Sequence, residues 1–170
     1  MKPESRELIQ KLDSNLDEII KVYRHLLNVV RKEKEILIAA DLDELNLNNR
    51  SKEAMLIKAR SLEESRQAIV KELAEAEGLA SDIRLKDLAL HFGGAEGERF
   101  QKLHSVLNLL LKRVREHNQY NEGLVSSALD TVTGGMQNIR ESVGEQRNYK
   151  KGGKLNDAQP GSGRLVSKEA

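Results

Sequence analysis

The sequence has 170 residues, enough for one domain, and is 38% hydrophobic, 32% charged and only 3% aromatic. Its formal net charge is +1 and it contains no cysteine. That balance excludes a disulfide framework and thiolate chemistry, speaks against a general nucleic-acid binder with a basic footprint, and points to long helices.

The two prolines, Pro3 and Pro160, lie near the termini, so residues 4–159 hold no proline to break a helix. No clean period-two run bounded by turns suggests a strand. The start, MKPESRELIQKL, lacks an apolar core of signal-peptide length. The most apolar window, Val106 to Leu111, is interrupted by Asn108 and is too short to span a bilayer. The expectation is a soluble, cytoplasmic protein with no membrane insertion.

The first helix is expected to start near Pro3, which suits a first-turn position, with Glu4 and Glu7 near the positive end of its dipole. Ile9, Leu12, Leu16, Ile19, Tyr23, Leu26, Val30 and Leu37 keep a three–four spacing, with Glu33 as one polar lapse. The helix should end at Leu37 or Ala39. Asp41 then reads as an N-cap, with Glu44 placed to complete a capping box.

A second helix is expected from Leu42 to about Ala76. Met55, Ala59, Leu62, Arg66, Ile69 and Leu73 carry its stripe. Its first half is weaker, meeting Asn49 and Lys52 after Leu45, which suits a bundle end where a Lys stem lies along apolar surface with its head in water. Gly78 reads as the C′ residue. Ser81 should cap a short helix through His91, which ends at Phe92-Gly93-Gly94.

The third long helix is expected to begin near Glu96. Phe100, Leu103, Leu107, Leu110, Val114, His117, Asn121, Leu124 and Ala128 alternate steps of three and four without a miss, and Leu111, Val125 and Leu129 widen the stripe. Such a helix is unstable alone in water and needs partners. Gly123 weakens it by roughly 1 kcal/mol relative to Ala, and Gly134-Gly135 by about twice that. Beyond Val143 glycine and polar residues dominate and predict a disordered tail.

The expected fold is all-α: an antiparallel bundle of three long helices plus a short crossing helix, with a bundle domain over 1–143 and a flexible tail over 144–170. The first two helices would each be about 50 Å long and the third about 70 Å at 1.5 Å per residue. The third would therefore outrun its partners, leaving Val132, Met136, Ile139 and Val143 without a cover. Their burial would contribute roughly 1.5–3 kcal/mol each before ordering costs.

No enzyme constellation is present in the sequence. The four histidines, His25, His91, His104 and His117, show no metal-ligand spacing and no H-x-x-K-G context. Gly93-Gly94-Ala95-Glu96-Gly97 does not match a phosphate loop and follows no strand, so it reads as a helix–helix break. Lys112, Arg113 and Arg115 read as a solvated helix face. No cofactor and no metal are expected.

Three stretches carry a family resemblance over about residues 8–153. They are Asp41-Leu42-Asp43-Glu44-Leu45, with Lys52 to Leu56 and Leu62 to Arg66 behind it; Asn118-Gln119-Tyr120-Asn121; and Tyr149-Lys150-Lys151-Gly152. Their order resembles the FlgN family of flagellar type III export chaperones. The third departs from the family's tyrosine–glycine dipeptide, since Lys150 follows Tyr149.

The resemblance implies a cytoplasmic chaperone that holds hook–filament junction proteins (FlgK and FlgL) and delivers them to the flagellar export gate. It also implies that the end of the last helix and the tail make those contacts. The contact residues expected from stripe and resemblance together are Leu124, Val125, Ala128, Leu129, Val132, Met136, Ile139 and Val143. Tyr149 is the expected gate contact. Asn118 and Asn121 either orient the helix or are solvated surface. The rival reading is a structural coiled-coil homo-oligomer with no chaperone role; a weak homodimer is compatible with either.

Overall fold

The computed structural model describes the backbone of residues 3–148 and the side chains of 4–142. All regular structure among them is helical: α1 Pro3–Ala39, α2 Leu42–Glu77, α3 Leu85–Phe92 and α4 Gly94–Asn148. The chain divides into two compact units, Met1–Val125 and Ser126–Ala170.

The first unit is built on the expected stripes. Leu12, Leu16, Ile19, Leu26 and Val30 of α1 are fully buried, as are Leu73 of α2, Leu88 of α3 and Phe100 of α4. Two residues join α1 to α2. Ala40 takes a left-handed φ of 55°. Its N–H donates to the Leu37 carbonyl and that of Asp41 to Ile36, a Schellman closure made without glycine. Asp41 then caps α2, its Oδ1 accepting the Glu44 N–H at 2.9 Å. The capping box is half formed, because the Glu44 carboxylate instead meets Lys32 at 2.7 Å.

The α1–α2 pairing runs antiparallel: Asn15 donates to the Leu62 carbonyl, and Glu33 meets Lys52 nearer the connecting turn. Along α4 the order runs with α1. The Arg99 guanidinium reaches Asp13 at 2.7 Å and Asp17 at 2.6 Å, and Asn121 reaches Val30.

At Gly78, with φ 72°, α2 closes in a second Schellman motif, the Leu79 N–H donating to Ala74. The short helix starts three residues later than Ser81 suggested. Ser81 lies in a turn, and α3 begins at Leu85 behind Arg84, which makes no side-chain cap. Burial of Leu85, Leu88 and Ala89, not capping, fixes this helix. Gly93 and Gly94 both take positive φ, which lets α4 restart after a single residue. Gly97 then packs directly on the Ala89 backbone.

In the second unit α4 continues through Gly134-Gly135 to Asn148. Every described side chain from Ser126 to Ser142 is exposed. The expected tail from 149 onward lies outside the described residues, while 144–148 belong to α4.

Candidate partner-binding site

Leu129, Val132, Met136 and Ile139 follow one another in steps of three, four and three, which places them on one face of α4. They are 60–67% exposed. Ala128 is exposed too. Between 126 and 142 the only charged residues are Asp130, Arg140 and Glu141; the rest is Ser, Thr, Ala, Gly, Asn, Gln and the stripe. An apolar line in a charge-poor surround has the composition of an interface core rather than of a solvated helix face. Nothing stands within 4 Å of where a Cβ would project from Gly134 or Gly135. The side chain of Val143 and the whole of Tyr149 lie outside the described residues.

Of the predicted contacts in the first unit, Leu124 is half-buried and Val125 is 42% exposed. The two asparagines do different things. Asn121 is 3% exposed and donates its Nδ2 to the Val30 carbonyl and to Glu33 Oε2, both at 2.9 Å. Glu33 also takes Lys52 Nζ at 3.1 and 2.9 Å on its two oxygens. One carboxylate thus ties α1, α2 and α4 together in a largely apolar core. Asn118 is half-buried with its Oδ1 enclosed and without a protein partner.

By sequence Glu33 is a lapse in its stripe and Lys52 a snorkelling side chain. The structure pairs them. The available signal was that each long helix has a polar residue where its stripe calls for an apolar one: Glu33, Lys52 and Asn121.

The histidines do not converge. His25 is exposed, His91 Nε2 stands 3.8 Å from Glu77, and His104 lies beside Asn108. Among the described residues no group of three or more His, Asp or Glu is placed to hold a metal ion. Among them, too, no helix is long and apolar enough to cross a membrane.

Compared with known families, the chain matches the sequence model of the FlgN protein over residues 1–157. It belongs to the FlgN family. Comparison with curated proteins and with solved structures gave no match. FlgN proteins are flagellar type III export chaperones, a non-enzymatic family that binds hook-associated proteins. The match spans both units of this FlgN-family chain, including the exposed stripe and the Asn121 tie.

Proposed function

We propose that this protein is a cytoplasmic chaperone for FlgK- and FlgL-like junction proteins and hands them to the flagellar export gate. The exposed stripe of Leu129, Val132, Met136 and Ile139 carries the reading. A chaperone that keeps a partner's helix from assembling early needs an apolar face left open for it, and burial of such a face drives helix-to-helix recognition. Leu124, Val125, Ala128 and Val143 extend the contact, and Tyr149 serves the gate. The fold in this reading is an antiparallel bundle of three long helices with α3 crossing it. The shared core of α1, α2, α3 and α4 residues supports the bundle.

The same stripe would suit self-pairing, which is the rival homo-oligomer. Light scattering on the purified chain, alone and with a FlgK-like partner, separates the two. The expected result is a monomer or weak dimer that forms a complex of defined stoichiometry. An obligate oligomer indifferent to FlgK- and FlgL-like proteins overturns the proposal.

A further inference from the structure

The first unit carries a groove between α2 and α4, separate from the exposed stripe. Its floor is α1, with buried Ile19 and half-buried Tyr23; its walls are α2 at Val70 and α4 at Leu107 and Leu111, and Ile83 completes the apolar lining. The space amounts to about 710 Å³. Helices α1 and α2 pack closely, and the groove opens beside that pair, along α4. Packed helices lie about 8–10 Å apart, and a groove between two helices floored by a third is the seat a fourth occupies in a bundle.

The rim chemistry narrows the occupant. Glu63 is committed to Arg66, at 2.8 and 2.6 Å, and to Gln67. Among the described residues, exposed Lys71 and Arg84 make no ion pair, and Asp82 is the one unpaired acid of the lining. Apolar side chains along the helix axes with charge at the rim suit a helix, not the convergent polar groups of a small-molecule pocket. The protein's own exposed stripe is a poor occupant, since residues 126–142 offer only Asp130 and Glu141 as acids.

We propose that this groove receives an amphipathic helix of the client protein, its apolar face on Tyr23, Leu107 and Leu111 and an acidic edge against Lys71 and Arg84. The inference rests on the chaperone reading and adds a second seat to it.

The test uses the full chain and a synthetic peptide spanning the C-terminal helical segment of a FlgK-like protein from the same bacterium. Lys71→Glu/Arg84→Glu changes two exposed side chains, and circular dichroism confirms that the fold is kept. At low salt the reversal should weaken binding by about tenfold or more, with the gap closing as salt rises. Leu111→Ala should weaken binding several-fold at any salt. NMR signals of Tyr23 and Leu111 should move on titration into the wild type. Binding unchanged within about twofold in both variants, with shifts confined to residues 126–142, overturns the groove and leaves the chaperone reading intact. No binding of the peptide or of the intact partner to the wild type overturns both. Shifts at Tyr23 that follow protein concentration without peptide assign the groove to a second copy and overturn it as well.

Discussion

Glu33 interrupts an apolar stripe, as do Lys52 and Asn121 on the two neighbouring helices, and the three meet. Each lapse was visible in the sequence. Their meeting was not, because it depends on the register set by the Ala40-Asp41 turn, where a non-glycine residue takes a left-handed φ. The side chains of Glu33 and Lys52 are only 11% and 23% exposed, so the pair behaves as a buried one. Removing one partner of such a pair strands a charge, whereas removing both does not. Lys52→Met should therefore lower stability by about 3–5 kcal/mol, and Glu33→Leu/Lys52→Met should recover most of that loss in urea unfolding. A double variant as unstable as the single one would show that the layer is not an ion pair of this kind. Glu63 gives a pH signature. Its hydrogen bonds to the Arg66 guanidinium hold the carboxyl below the usual range, against partial burial that pushes it up. A carboxylate depressed in the folded state adds stability above its unfolded pKa, and that stability is lost as pH falls through the folded value. Wild type should therefore melt above Glu63→Gln at neutral pH, and the difference should vanish once the pH drops below the ordinary carboxylate range. Because the pair is partly exposed, the difference should also shrink in salt.

Helix boundaries were legible where a local signal sets them. Asp41 and Gly78 act through bonds within a few residues of themselves, so both caps could be read from sequence. The start of α3 could not, since packing of Leu85 and Leu88 outweighs the capping propensity of Ser81. Gly97 shows the same limit. In sequence it is one glycine of a Gly-rich break, but in the structure an added Cβ would run into the Ala89 carbonyl oxygen. Backbone on one side and helix on the other leave nothing flexible to yield. Gly97→Ala should cost about 1–3 kcal/mol, read by chemical denaturation. Gly123→Ala, with nothing within 4 Å of the new methyl, should instead stabilise by about 1 kcal/mol. If both changes act alike, the α3–α4 corner is not closed by that contact. Gly134→Ala/Gly135→Ala likewise meets nothing within 4 Å, so it removes about 2 kcal/mol of helix penalty without a clash. Circular dichroism should show more helix, and partner affinity should change because less ordering remains for the partner to impose.

At the scale of the molecule, one helix runs through two environments. In the first unit α4 contributes Phe100, Leu103, Leu110 and Val114 to a core shared with α1, α2 and α3. In the second unit the same three–four alternation continues through Leu129, Val132, Met136 and Ile139, but these side chains are exposed. The pattern was legible throughout. Periodicity alone does not say which part is covered, since it reports only that a face is apolar; helix length pointed to Val132, Met136 and Ile139, and these are exposed. Residue types add a hint: charge thins out between 126 and 142, where solvent would favour it. The two parts should respond differently to truncation. Leu103→Ala/Leu110→Ala empties packed positions, and each deletion should lower stability by about 2–5 kcal/mol. Met136→Ala/Ile139→Ala removes side chains that are 67% and 64% exposed, so the folded chain forfeits little burial. That pair should leave the melting temperature within a few degrees. It should weaken binding to a FlgK-type C-terminal helix by about tenfold or more, about 1.4 kcal/mol. Thermal melts and titration calorimetry on both pairs read the two effects separately. A large stability loss from the Met136/Ile139 pair would mean that the stripe is already packed in solution. Full binding without it would mean that the client rests elsewhere on the chain.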